Sequence, residues 1–221
     1  MNKNLTEVVF IIDRSGSMRG LENETIGGFN SMIEQQKNDT EGEVKITTIL
    51  FDNYYEILHD HVDVREIQPL TNKEYYARGT TALLDSVGRA IDSVGERLAA
   101  TPEEERPGSV MFVITTDGYE NASYKYSQAQ IKEMIEHQKS KYSWIFMFLG
   151  ANIDAEQVGF TYGIERGLSK TYSATVEGTA SVYAAVSDSI TLSKAMASCD
   201  NAMSYNDSIM ALQSTIDSKV K

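Results

Sequence analysis

The chain has 221 residues, 41% of them hydrophobic and 24% charged, with a formal net charge of −12. That balance suits one sizeable α/β domain, or a domain with an appendage, and excludes a disordered tail; no apolar run is long enough to span a membrane. The acidic surface disfavours nucleic acid and anionic lipid.

Glu7 to Asp13 reads as a buried strand, because Val8-Val9-Phe10-Ile11-Ile12 is a β-branched run with an aromatic in it. Asp13, Ser15 and Ser17 follow at alternate positions around Gly16. Glycine tolerates positive φ, so the loop can curl and aim three hard oxygens at one point, as a small hard cation such as Mg²⁺ requires. The same residues suit an ordinary turn in which Asp and Ser cap the next helix. Thr25 to Lys37 carries Ile26, Phe29 and Ile33 at near-helical spacing, with Gly27 and Gly28 as weak points that would let the helix pack closely on the sheet. Val44 to Phe51 and Tyr55 to Val62, joined by Asp52-Asn53, read as an antiparallel hairpin. His59 and His61 alternate on its second strand, which puts both on one side. Two imidazoles at that spacing can bind zinc, but no Cys or third His stands near, and edge-strand surface residues explain them as well.

Val64 to Arg78 is a connector carrying Pro69. Gly79-Thr80-Thr81 then opens the clearest amphipathic helix, Ala82 to Ala99, where a threonine serves either as a cap or as a metal-binding hydroxyl. Thr101 to Gly108 breaks it. Val110 to Thr116 is a central strand that ends in Asp117-Gly118, a pair that is also a common turn signal. A helix over Ser127 to Lys139, a buried strand over Trp144 to Leu149, a short helix over Ala155 to Tyr162, a last strand over Leu168 to Ser173 and a helix over Glu177 to Ser198 follow. Residues 1–200 form the domain and 201–221 a C-terminal extension. Its Ile209, Leu212, Ile216 and Val220 make one apolar stripe, suited to a docked terminal helix or to a detachable partner-binding one. The alternation predicts a doubly wound, mainly parallel, Rossmann-like sheet with one antiparallel edge strand and helices on both faces. Ligands in such sheets sit beyond the carboxyl ends of the strands, where Asp13 and Asp117 fall.

Asp-x-Ser-x-Ser, then Gly-Thr-Thr-Ala-Leu, then Thr-Thr-Asp-Gly-x-Glu-Asn, in this order, resembles the von Willebrand factor type A domain with its metal-ion-dependent adhesion site, in the bacterial stand-alone form. The likeness covers roughly Leu5 to Tyr172. It implies metal ligation by Asp13, Ser15, Ser17, Thr81 and Asp117, the hydroxyls touching the ion and the aspartates often acting through water. Thr80 holds a position that is often glycine in bacterial relatives. Thr80, Tyr119, Glu120 and Asn121 are then candidates for a partner-contact rim, although Glu120 and Asn121 equally suit capping of the segment that follows them. Tyr124 and Tyr126 extend that rim, since tyrosine is favoured on recognition surfaces. Asn152 and Asp154 read as a structural turn on the same edge.

Neutral hydroxyls leave Mg²⁺ much of its charge, so an open position favours a Glu or Asp from a protein partner; Mn²⁺ fits the same oxygens and Ca²⁺ less tightly. The expected function is a metal-dependent protein-interaction module without chemistry of its own. No Gly-x-Ser-x-Gly elbow, no phosphate-cradling Gly-x-x-x-x-Gly-Lys and no histidine occurs in the metal loops. The alternatives are a metal-assisted hydrolase resembling a phosphoesterase and a scaffold within a larger assembly. A lone Cys199 and an N-terminus that leads straight into a strand predict a reducing cytoplasm.

Overall fold

In the computed structural model, which describes residues 1–199 and 203–220, strands β1 (Asn2–Asp13), β2 (Glu43–Phe51), β3 (Tyr55–Asp63), β4 (Pro107–Thr116), β5 (Ile145–Ala151) and β6 (Ser169–Tyr172) form one sheet. Their order is β3-β2-β1-β4-β5-β6, and only β3 runs antiparallel to its neighbour. The helices are α1 (Glu22–Asn38), α2 (Leu83–Ala100), α3 (Gln128–Tyr142), α4 (Ala155–Thr161), α5 (Val176–Ser198) and α6 (Tyr205–Lys219). Each strand and helix lies where the apolar pattern places it, within a few residues. The largest difference is β1, which begins at Asn2 because Asn2 N donates to Arg106 O at 2.7 Å and draws the first residues alongside β4.

β1 is buried from Leu5 to Asp13, as a strand must be when both faces are covered. Phe10 meets Phe29 of α1 edge-on, with ring centroids 5.5 Å apart. Glu7 lies three positions earlier, hence on the opposite face, and pairs with Arg97 of α2. α1 and α5 therefore cover one face, and α2 with α3 the other. The expected role of the paired glycines is corrected. A Cβ on Gly28 would stand 2.3 Å from the Tyr183 ring of α5, whereas one on Gly27 would meet nothing within 4 Å. Gly28 thus admits a tyrosine from the next helix and not the sheet.

α6 docks on α5 through buried Ile209, Leu212 and Ile216. Lys170–Asp217 at 2.6 Å and Lys219–Asp188 at 3.0 Å flank the contact. The proposed boundary between residues 200 and 201 lies outside the described residues.

The two histidines of β3 do not share a side. A register irregularity interrupts the β2–β3 ladder, and His61 takes a left-handed φ of 54°. His59 pairs with Thr48, while His61 N donates to Thr47 Oγ1 and His61 Nδ1 stands 3.6 Å from Glu7 Oε2. Thr47 and Thr48 are successive strand residues and point to opposite faces, so the two imidazoles are divided between them. The zinc reading falls with that geometry.

The chain passes from β1 to β2 on one side and returns to β4 on the other. The order reverses between β1 and β4, and a crevice opens at their carboxyl ends. Asp13 ends β1, and Asp117 directly follows β4.

Candidate metal centre

Three loops meet at this crevice. The first is Asp13 to Met18, whose last three residues form a 3₁₀ turn. Asp13 is fully buried and uses both carboxylate oxygens locally: Oδ1 accepts from Ser15 N at 2.6 Å, and Oδ2 accepts from Thr116 Oγ1 at 2.6 Å. It ties its own loop to the end of β4. Gly16 works differently from expectation. Its φ is not positive; it is needed because Gly79 O approaches within 3.2 Å of where a Cβ would stand, and Gly16 N donates to that carbonyl at 3.1 Å. The left-handed residue is Gly79 itself, at φ 69°, where a Cβ would collide with Asn53 Oδ1.

The second loop carries Thr80 and Thr81. Thr80 is exposed and Thr81 buried. Asn121 clamps Thr81 at two points, its Oδ1 accepting from Thr81 N at 2.9 Å and its N donating to Thr81 O at 3.1 Å. The third loop brings Asp117 and Gly118. A Cβ on Gly118 would lie 3.1 Å from Ser17 Oγ, a tight approach, and 3.5 Å from Thr81 Oγ1, an ordinary contact, so both hydroxyls border this glycine. Ser15 Oγ and Ser17 Oγ are 3.0 Å apart, and Ser17 Oγ donates to Asp117 Oδ1 at 2.6 Å.

These oxygens fit a divalent cation. Adjacent ligands of an octahedral ion bound at ~2.1 Å stand about 3.0 Å apart, a spacing that the two serine hydroxyls, hydrogen-bonded to each other, already have. Burial pushes the Asp13 carboxyl up to about 6, Thr116 and Ser15 oppose the shift through their hydrogen bonds, and the charge of Asp117 adds to it. Burial also raises Asp117, against its bond from Ser17. Two carboxyls that burial shifts upward, set in one crevice, are a place that a positive charge would relieve. Among the described residues no group of three His, Cys, Asp or Glu side chains could hold a metal, so an ion here would depend on the hydroxyls.

The candidate rim divides. Thr80 and Tyr119 are exposed on the edge, and Tyr119 keeps 62% of its surface in solvent. Glu120 turns inward: Oε2 accepts from Leu84 N at 2.9 Å in the first turn of α2, and Oε1 accepts from Ala122 N and Ser123 N. It caps a helix, and Asn121 positions Thr81. Tyr124 is almost fully exposed, but Tyr126 packs over Gly88 of α2 and donates to Asp92 Oδ2. Asn152, at φ 56°, holds the turn between β5 and α4, and Asp154 caps α4 through Gln157 N.

Four residues around the loops escaped sequence reasoning. Arg14 and Asp52 are both buried. Asp52 Oδ2 accepts from Arg14 Nε at 3.2 Å and from Arg78 Nε at 2.6 Å, and Asp52 O accepts from Ala82 N. Tyr75 donates its hydroxyl to Asp13 O at 2.6 Å. The sequence signal was present, in a charge at position 14 just past an apolar strand, but its hydrogen-bond partners lie 38, 42 and 60 positions away.

No protein-family model matches this sequence, and no curated protein does either. Solved structures do. Proximal thread matrix protein 1 from the mussel byssus, with a zinc-occupied MIDAS motif, superposes with a TM-score of 0.57 at 14% identity, over 82% of this chain and 44% of that one. The manganese-loaded TRAP protein of Plasmodium vivax gives 0.56 at 14% identity over 79% and 70%. The ArnB paralog VWA2 of Sulfolobus acidocaldarius gives 0.51 at 16% identity over 86% and 45%. The chain spans less than half of the mussel and Sulfolobus proteins, and at these identities the likeness speaks to fold. With its strand order, its antiparallel edge and these neighbours, the chain has the fold of a von Willebrand factor type A domain.

Proposed function

We propose that this chain is a metal-dependent protein-interaction module that takes a Glu or Asp carboxylate from a partner. The observation that carries the reading is the meeting of Ser15, Ser17, Thr81, Asp13 and Asp117 at the switch point, with the two serine hydroxyls 3.0 Å apart. Ser15, Ser17 and Thr81 would touch the ion, and Asp13 and Asp117 would balance its charge from behind. A divalent cation held by neutral hydroxyls keeps enough positive charge to attract an incoming carboxylate. Mg²⁺ suits this oxygen set, and Mn²⁺ shares its preferences. The zinc and manganese named for two neighbours support a divalent ion in general.

The residues here bind and orient. His59, His61 and His137 all lie outside the three loops, so no imidazole serves as general base. We place the protein in a reducing compartment, since its only cysteine, Cys199, is exposed and free.

Calorimetry with Mg²⁺ and Mn²⁺ tests the site. The native chain is expected to bind one ion. Ser15→Ala and Thr81→Ala are expected to weaken binding about 10- to 100-fold, with thermal midpoints in chelator close to the parent. Equal affinity in the variants would remove the hydroxyls from the site. Mg²⁺-dependent turnover of phosphate or ester substrates that disappears in Asp117→Ala would replace the interaction module with a hydrolase.

A further inference from the structure

Beside the metal loops stands a second construction that the coordination of an ion does not explain. Tyr54 and Tyr76 are 67% and 43% exposed, yet neither is a free surface ring. Arg78 lies between them, its guanidinium carbon 5.8 Å from one ring centroid and 5.2 Å from the other. Its Nη1 donates to Tyr76 Oη at 2.8 Å. Buried Arg14 approaches the Tyr76 ring at 5.9 Å. Asp52 holds all of this from below: Oδ1 accepts from Tyr54 N at 2.6 Å, and Oδ2 accepts from both arginines. Glu56 receives Arg14 Nη2 at 2.6 Å.

Burying an Arg and an Asp costs desolvation that their attraction seldom recovers, so such a pair is weak evidence of stabilisation. Here the pair also anchors Tyr54 N and the Arg78 guanidinium that lies against both exposed rings. A rigid aromatic surface loses little freedom when a partner arrives. The construction also adjoins the metal loops. Arg78 N donates to Arg14 O, which sits between Asp13 and Ser15, and Gly79 O accepts from Gly16 N.

Resting on the metal-dependent reading, we infer that Tyr54, Tyr76 and Arg78 form a specificity surface that reads an aromatic side chain lying close in sequence to the partner's coordinating carboxylate. The charges decide the class of occupant. Arg14 and Arg78 are already answered by Asp52 and Glu56, so this surface offers a charged side chain little. It offers flat faces, a guanidinium plane and two rings, on which another ring stacks or meets edge-on. The net charge of −12 disfavours a partner segment with further acids. The fitting partner is a protein loop with one Glu or Asp, an aromatic neighbour and neutral or basic flanks.

A displayed library of random peptides built around one fixed Glu tests this, selected on the full chain in Mg²⁺ and again in EDTA. The expected binders need Mg²⁺ and carry Phe, Tyr or Trp within about three positions of the Glu. Their affinity is expected to fall about 5- to 20-fold in the double variant Tyr54→Ser/Tyr76→Ser, to hold in Tyr124→Ser, and to leave calorimetric Mg²⁺ affinity unchanged in both. Mg²⁺-dependent binders without aromatic enrichment, or indifferent to the double variant, overturn the specificity surface alone. Binders insensitive to EDTA overturn the metal-dependent reading beneath it, and a library that yields none counts against both.

Discussion

Asp13 carries a cost that a cation would remove. Its carboxyl titrates near 6 in the folded protein against 3.8 as the ordinary value, chiefly because it is buried. Between those two values the native state holds a proton that the unfolded chain has released. Its contribution to stability is therefore complete below about pH 4 and is lost as the pH rises through 6. Melting the protein in chelator is expected to show this loss between about pH 4 and 6, and added Mg²⁺ is expected to raise the midpoint more at pH 7 than at pH 5. An equal gain at both values would separate Asp13 from the ion. The candidate residues of the first loop stood out in the sequence because their spacing is short and local: Asp13, Ser15 and Ser17 are two apart. The residues that fix them were not. Asn121 clamps Thr81 from 40 positions away, and Asp52 reaches Arg14 across 38, separations at which no periodicity is visible.

Helices and strands followed from the apolar pattern because each has one covered stripe or two covered faces. What the pattern hid is which element covers which. Gly27 and Gly28 look alike in sequence, and the structure gives them opposite demands. Gly27→Ala is expected to stabilise by about 0.5–1 kcal/mol, the usual gain from removing a mid-helix glycine into open space. Gly28→Ala is expected to cost about 1–3 kcal/mol, since its methyl would press into the Tyr183 ring. Urea denaturation of both variants measures the contrast, and similar values would mean that α1 and α5 are not in contact at Gly28. Glu120 belongs to this scale too, because it joins an element to a loop. Glu120→Ala leaves Leu84 N, Ala122 N and Ser123 N without their acceptor and is expected to cost about 1–3 kcal/mol in the same assay. A loss within about 0.3 kcal/mol would show that water replaces it.

Across the whole molecule, α6 closes the core instead of hanging from it. Leu212 is fully buried beneath it, and Leu212→Ala is expected to destabilise the protein by about 2–5 kcal/mol. A change under about 1 kcal/mol on equilibrium unfolding would mean that the terminal helix is detached in solution. The apolar stripe Ile209, Leu212, Ile216 was visible in the sequence, but a docked helix and a helix waiting for a partner present the same stripe; only the surface of α5 distinguishes them. The twist at His61 reaches beyond the separation of two histidines. β3 is an outer strand, and outer strands invite another chain to continue the sheet. With a left-handed residue bending it, β3 is a poor template, and β6 on the far margin has only four residues. Polymerisation through sheet extension is therefore discouraged at both margins of the sheet.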